Sequence, residues 1–151
     1  MSYASVEDFV LRVGEGQAID LTDREREDRI NEAVLNVALE DSSSEIDAYL
    51  SSRYTLPLAK VPANLVRLCC DIARYRLCSM TDVTISDDVR ERYEKAIDEL
   101  KLLAKGTISL GIEQQLDADP TGDMVVMFNN GNTRVFSRDD YQNRKGFDSS
   151  P

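Results

Sequence analysis

Three cysteines are the residues of this sequence most able to bind a metal or act as nucleophiles. Cys69, Cys70 and Cys78 fall within one apolar helical pattern. A zinc site needs its thiolates to converge, but adjacent helical residues point to different sides, and the chain contains no histidine to complete a ligand set. An odd number of cysteines in such a pattern is typical of reduced, buried thiols in a cytosolic protein. We therefore predict no bound metal.

Adjacent acidic residues are the second group that could do chemistry. Asp87–Asp88 and Asp139–Asp140 could bind a divalent cation or work as an acid–base pair. Helix-capping charge and solvated loop charge explain both pairs better. The lack of histidine excludes Ser–His and Cys–His nucleophiles, and Gly14-x-Gly16 lacks the preceding strand and third glycine of a dinucleotide loop. The sequence predicts neither an enzyme nor a cofactor-binding protein.

Composition indicates one globular domain with an acidic surface. The chain has 151 residues, of which 42% are hydrophobic and 30% charged, and its net charge is −10. This charge argues against a surface that grips phosphates, because each DNA contact needs a cation. It still permits a protein that passes close to DNA without binding it. We expect no signal peptide and no membrane span, since no apolar run is long enough for either.

Hydrophobic periodicity predicts two helices in the first third of the chain. The first begins after Ser5, in a capping box, and ends at Gly14, with a loose link after it. The second begins after Thr22, which has a glutamate three residues on, and continues to about Ser52. Within it, Asp41–Ser44 is either a break or kink near Ser43, or its serines are small residues at a close helix contact.

Two more helices complete a predicted four-helix body over residues 1–105. The third starts at Pro62, a favoured first helical residue, and the fourth extends from the Ser86 cap to Gly106. The third helix is apolar on most of its circumference, which favours a central core helix. The alternative is a core helix that also supplies a self-association surface through a second apolar face: Val66, Cys70, Ala73, Leu77 and Met80.

The break between the two long helices is sharp. Pro57 disfavours helix at Leu56, so Tyr54–Leu58 should be extended and stiff. Leu56 and Leu58 are then available to hold this link against the core.

Residues 106–151 have a different pattern from the body. Two β-prone runs, Met124–Phe128 and Thr133–Phe136, flank Asn129–Asn132 and predict a β-hairpin. An isolated hairpin is marginal in water and needs a surface to pack on. The last segment is polar with Tyr141 and Phe147 as aromatic anchors. It is either an arm that orders on binding or a frayed tail.

Several motifs together resemble the Mu-type phage and prophage family of small head–tail joining proteins, over nearly the entire chain. The most specific is the run IDAYLSSRYTLPL (46–58) followed by a proline-started helix. The motifs are DFVLRVGEG, LTDR (21–24), IDAYLSSRYTLPL (46–58), LVRLCCDIARYRL (65–77), RYEKAIDELKLLAKG (92–106), the Leu110–Gly111 pair, RVFSR (134–138) and GF (146–147).

The resemblance implies a mainly α adaptor that binds under the portal, forms a ring that is commonly twelvefold, and extends the DNA channel toward a stopper and tail. It implies a virion protein of the neck, assembled in the host cytoplasm. In such adaptors the C-terminal segment reaches into the portal. The positions of this chain that match the tail motif are the candidate portal-contacting arm: Phe136, Arg138, Tyr141 and Phe147.

On this interpretation the helix break forms a rigid wedge that tiles around an axis, and copies meet along it. The candidate wedge and interface residues are Tyr54, Leu56, Pro57, Leu58, Cys70 and Leu77. The expected partners are further copies, the portal protein, and a stopper or tail-completion protein, with genomic DNA sliding through an acidic lumen. The alternative is a small prophage-encoded helical regulatory or nucleic-acid-binding module.

Overall fold

The structure is a computed structural model and describes residues 1–112. These residues form five α-helices: α1 (Val6–Val13), α2 (Glu15–Thr22), α3 (Glu32–Leu50), α4 (Ala63–Met80) and α5 (Asp87–Lys105). The prediction of a mainly helical protein is confirmed, with five helices in the described part instead of four. The predicted β-hairpin within residues 124–136 lies outside the described residues.

The start of α1 follows from its local sequence as predicted. The Ser5 hydroxyl accepts a hydrogen bond from the Asp8 backbone N–H at 3.1 Å, and the Asp8 carboxylate accepts one from the Ser5 N–H at 3.0 Å. The carboxylate also accepts from the Ser5 hydroxyl at 3.0 Å, and these two bonds to the carboxylate hold the pKa of Asp8 below its ordinary value. With the first turn fixed, Phe9 lies fully buried.

Two predictions are wrong: the loose link after Gly14 and the helix cap at Thr22. Gly14, at a φ of 93°, ends α1 and at once begins α2, which residue 16 continues as helix. Thr22 is the last residue of α2, where its hydroxyl donates to the Ala18 carbonyl at 2.7 Å and accepts from the Asn31 N–H at 3.1 Å. The side chain of Asn31 caps α3 instead, accepting from the Val34 N–H at 3.2 Å.

The charged residues that directly follow Thr22 were expected to form the first turns of a helix. They lie in a loop over residues 23–31. The Asp23 carboxylate accepts from the backbone N–H groups of Glu27 at 3.0 Å and Asp28 at 2.8 Å. An aspartate that bonds nearby backbone in this way competes with helix formation. Arg26 and Asp28 also have left-handed backbones, with φ of 58° and 59°, which a helix cannot contain.

Close contact between α3 and α4 explains the serines in the middle of α3. One α-helix extends through Ser42 and Ser43, and both are buried. The Ser43 hydroxyl donates to the Leu39 carbonyl at 2.8 Å and lies 3.4 Å from Cys69 Sγ. The small side chains therefore sit where a larger one would separate the helices, in agreement with the second of the two interpretations.

α4 is the central helix of the body. It packs against α3 and α5, and most of its circumference is buried, as predicted. Its polar side chains include Arg67, which forms ion pairs with Glu99 of α5 at 2.6 Å and with Asp71 of α4 itself at 3.5 Å. Burial raises the pKa of the Asp71 carboxyl above its ordinary value, although Arg67 opposes this shift.

α5 begins and ends as its sequence predicts. The Ser86 hydroxyl accepts from the Val89 N–H at 3.3 Å, and Gly106 ends the helix in a left-handed conformation with a φ of 76°. A Cβ atom added at residue 106 would lie 2.1 Å from Nη1 of Arg53, so Gly106 also makes room for a guanidinium. That cation is at the negative end of the α5 dipole, where it is favoured.

Gly106→Ala should lower the free energy of unfolding by about 1–2 kcal/mol from the left-handed backbone alone, and further if Arg53 is displaced. Urea unfolding followed by circular dichroism measures the change. Gly16→Ala is the matched control, since no atom lies within 4 Å of its added Cβ and its φ is not positive. This control should be neutral or stabilise by up to about 1 kcal/mol. Equal effects of the two variants would contradict the prediction.

Candidate interaction site

We call the segment between α3 and α4 the connector (Tyr54–Pro62). Its first residue, Tyr54, anchors it in the core. The Tyr54 N–H donates to the Leu50 carbonyl at 2.9 Å, and the Tyr54 side chain is only 2% exposed. Leu58 is likewise buried, and Leu56 packs against the core. The predicted role of the two leucines in holding the link is therefore confirmed.

The two prolines of the connector occupy positions slightly different from those predicted. The Leu56–Pro57 peptide bond is cis, and the chain bends at these residues where an extended run was expected. Pro62 is the N-cap of α4, and Ala63 is its first helical residue. Pro62 has an extended backbone, with φ of −66° and ψ of 148°, so the proline ring fits the cap without strain.

The connector also holds the chain that follows α5. We call this the root segment (Thr107–Ile112), because it leads into the residues beyond the described body. The Tyr54 hydroxyl accepts the Leu110 N–H at 2.9 Å and lies 3.5 Å from the Ser109 hydroxyl. Leu110 and Ile112 pack against the core. The helical unit therefore continues past residue 105, the end of the predicted body.

An open cleft of about 910 Å³ lies between the connector, the root segment and α1. We call it the connector cleft. Most of its lining is aliphatic, and two side chains of α1 complete one wall. The lining residues are Asp8, Arg12, Ala59, Lys60, Val61, Pro62, Ala63, Val66, Leu110, Gly111 and Ile112. A cleft with apolar walls and few polar groups is the usual form of a binding site for another molecule.

The charged side chains around the cleft differ in how they are paired. Arg12 donates to the Asp8 carbonyl at 3.1 Å and lies 3.9 Å from its carboxylate. Lys60 is exposed and forms no ion pair with any residue in the described part. On a protein with a net charge of −10, this lysine is a local positive point beside an apolar surface.

The predicted interface residues separate into two groups. Tyr54, Leu56 and Leu58 hold the connector, as described above. Cys70 and Leu77 belong to the core of the single chain, at 2% and 0% exposure, so the chain itself covers the second face of α4 at these positions. Any contact between copies along α4 must use other residues, such as the half-exposed Met80. The candidate arm residues 136–147 lie outside the described part.

The three thiols are structural. All are buried, and burial raises the pKa of each above its ordinary value, that of Cys70 to about 12. Cys69 also lies against the backbone of the N-terminal residues Tyr3 and Ala4. Tyr3 donates its N–H to Ser43 Oγ at 2.9 Å, and the Tyr3 hydroxyl donates to Asp47. The N-terminus is thus tied down over α3 and α4.

Native protein should react slowly with a thiol-specific disulfide reagent at pH 8, because little thiolate is present and the sulfur atoms are covered. All three cysteines should react quickly in guanidinium chloride. Absorbance of the released thiolate measures both phases. Rapid reaction of one thiol in the native protein would show that its helix opens readily, contrary to the expectation.

Sequence reasoning did not find the connector cleft. Residues 107–112 looked like the start of a loop, although Ile108, Leu110 and Ile112 alternate apolar with other residues. The alternation of Leu110 and Ile112 was the available signal for a segment with one covered side, and Ile108 is exposed. Nothing local could show that it meets the connector, since Tyr54 and Leu110 are 56 residues apart.

Among residues 1–112, no helix is long and apolar enough to cross a membrane. In the same range, no three His, Cys, Asp or Glu side chains are grouped so that they could hold a metal ion.

Fold and cleft together define a small α-helical protein with an open apolar groove. The sequence profile of the family described as "Bacteriophage Mu, Gp36" matches residues 3–128, and the chain belongs to this phage protein family. It is 32% identical over 148 residues to "Gene product J" of Escherichia phage Mu, covering 97% of this chain and 99% of that protein.

A second relative is more similar over a shorter range. The chain is 48% identical over 83 residues to the "Mu-like prophage FluMu protein gp36" of Haemophilus influenzae (strain ATCC 51907 / DSM 11121 / KW20 / Rd). This match covers 55% of the chain and 57% of that relative. The resemblance to Mu-type phage and prophage proteins is therefore confirmed.

Proposed function

We propose that this protein is a non-enzymatic virion component, a head–tail connector adaptor. Copies form a ring, twelvefold in the form we favour, below the portal at the neck. The ring extends the DNA channel and gives a stopper or tail-completion protein its attachment surface. Membership of a Mu phage family supports a virion role, and the geometry of the described body supports the adaptor role.

The observation that carries the proposal is the attachment of the root segment to the connector. Tyr54 fixes Leu110 through a 2.9 Å hydrogen bond, and Arg53 lies against Gly106 at the end of α5. The root segment is therefore held against the helical body at a defined place. A fixed exit suits an arm that must reach a partner in the same way from every subunit of a ring.

Ion pairs that link the helices support a rigid body of this kind. Arg76 of α4 reaches Glu45 of α3 at 2.5 Å, and Arg67 of α4 reaches Glu99 of α5 at 2.6 Å. Tyr75 of α4 stacks on Tyr93 of α5, with ring centroids 4.1 Å apart. Such links resist sliding of the helices against one another when DNA passes through the ring or a tail attaches to it.

The acidic surface supports a channel through which DNA slides. Glu40 and Asp41 are exposed on α3 and form no ion pair with the described residues. With a net charge of −10 per copy, a ring would repel phosphates across a short distance and offer few sites to hold them.

Electron microscopy of particles tests the adaptor role directly. Portal-bearing heads are assembled with and without the gene for this protein and are imaged at the neck. A ring-shaped density below the portal that depends on this protein is the expected result. Normal necks and normal tail joining in its absence would overturn the proposal.

Filter binding separates the adaptor from the alternative, a prophage-encoded regulatory or nucleic-acid-binding module. At low salt a regulator should retain duplex DNA, because cation–phosphate contacts strengthen as salt falls. We expect this protein to retain no duplex DNA on the filter at about 50 mM salt, the low end of a salt titration. Salt-dependent retention at micromolar protein concentrations, which are on the order of the dissociation constants of non-specific DNA binding, would favour the alternative.

A further inference from the structure

One side chain on α1 is almost uncovered by the described residues of its own chain. Leu11 is 83% exposed, more than any other large apolar side chain in the described part. It lies about 200° around the helix from the fully buried Phe9, so it points away from the core. Glu7, one turn earlier, shares this outer face and is also exposed. We call Glu7 and Leu11 the α1 knob.

The connector cleft offers the apolar surface and the positive charge that the knob lacks. Its walls are aliphatic, formed by residues such as Val61, Val66 and Ile112, and it is open enough to admit a side chain with part of its helix. Lys60 stands at its edge without an ion pair in the described part. The knob thus offers a leucine and a carboxylate, and the cleft offers an apolar hollow and an ammonium group.

We propose that the α1 knob of one copy inserts into the connector cleft of the next, with Leu11 in the hollow and Glu7 paired to Lys60. This inference rests on the proposed ring. Knob and cleft are different surfaces, so the contact is head-to-tail, and its repetition closes a ring when the rotation allows. An isolated surface charge pair is worth little, so the leucine supplies the affinity and the pair fixes the register.

Helix α1 contributes residues to both sides of the proposed contact. Asp8 and Arg12 of α1 form part of the cleft wall, while Leu11 faces outward. Each subunit would contact one neighbour through its knob and the other through its cleft, and α1 would take part in both contacts. The connector would then act as the wedge between copies, through its cleft instead of through the second face of α4.

Cysteine cross-linking tests the contact in the full-length protein. Leu11→Cys and Val61→Cys are prepared as single variants, and the native thiols do not interfere because all three are buried. After assembly onto portal-bearing heads and mild oxidation, a mixture of the two variants should give disulfide-linked dimers. The double variant should give a ladder of larger products. Val37→Cys, at an exposed α3 position, replaces Leu11→Cys as the matched control and should give no ladder.

Charge exchange gives a second, independent measurement. Lys60→Glu alone and Glu7→Lys alone should each reduce the fraction of protein in rings, and the combination should restore it. The fraction is measured by sedimentation of portal-bound particles. Failure of the combination to restore assembly, with both single variants folded by circular dichroism, would remove Glu7 from the contact and overturn the proposed pairing.

Other outcomes assign the cleft differently. Disulfides between two Leu11→Cys copies would show a symmetric contact, and protection of Val61→Cys by portal without mixed disulfides would place portal in the cleft; either result overturns the inference. A ring at the neck without mixed disulfides also overturns it, while the adaptor function stands. Mixed disulfides in solution without protein at the neck would support the contact and contradict the adaptor function.

Discussion

Removing residues 113–151 should leave the helical body folded and abolish its joining to portal-bearing heads. The described core lies entirely before this cut and includes Leu110 and Ile112, so helix content should persist. The removed part contains the candidate arm, whose aromatic and arginine side chains are of the types that dominate interfaces. Losing several contacts of about 2 kcal/mol each should weaken portal binding by at least about a hundredfold. Co-sedimentation with heads measures the loss.

Two comparisons make this result specific to the arm. Full-length protein with Phe136, Arg138, Tyr141 and Phe147 all changed to alanine should lose portal binding like the deletion. A longer deletion, after Lys105, also removes the root segment and its hydrogen bond to Tyr54, and should be less stable to urea than the deletion after Ile112. Wild-type binding by either the deletion after Ile112 or the quadruple variant would show that the arm assignment is wrong.

Local sequence signals succeeded where one residue decides the structure. Ser5 and Ser86 cap their helices because a hydroxyl with a free backbone N–H three residues later needs nothing from the rest of the chain. Gly106 ends α5 because the left-handed conformation disfavours other residues. The central position of α4 was also predictable, since an apolar circumference must be covered from several sides.

Competition between several local signals explains the largest error in the fold. Thr22, Asp23 and Asn31 can each begin a helix, and the charged run between them is compatible with helix or loop. Two long-range preferences decide among them: α2 buries Leu21 and Thr22, and the Thr22 hydroxyl then bonds Asn31. The loop follows from that choice, and no periodicity within it could have revealed it.

The candidate site was half visible in the sequence. The connector was predicted from its prolines and leucines, because these residues restrict the backbone wherever they occur. The cleft depends on the root segment folding back 56 residues later onto Tyr54, which is a property of the packed body. Cys70 and Leu77 show the opposite case: their apolar pattern was seen, but whether the same chain or a neighbour covers them depends on where α1, α2 and α5 pack.

Tyr54→Ala should lower the free energy of unfolding by about 3–5 kcal/mol, a large share of the stability of a domain this size. The side chain is 2% exposed, so its removal leaves a cavity beside the root segment. It also removes the acceptor of the Leu110 N–H, which frees the root segment. Urea unfolding measures the stability, and binding to portal-bearing heads at low temperature measures the function of the part that remains folded.

Tyr54→Phe separates the two effects, because it keeps the ring and deletes only the hydroxyl. We expect it to cost about 1 kcal/mol, since the partly buried N–H of Leu110 loses its acceptor. If a fixed root segment matters for the arm, Tyr54→Phe should reduce portal binding although most of the stability remains. Leu58→Ala is the matched control: it removes buried volume from the same connector and leaves the hydroxyl in place. Normal portal binding by Tyr54→Phe together with weak binding by Leu58→Ala would mean that connector packing, and not the hydrogen bond to the root segment, positions the arm.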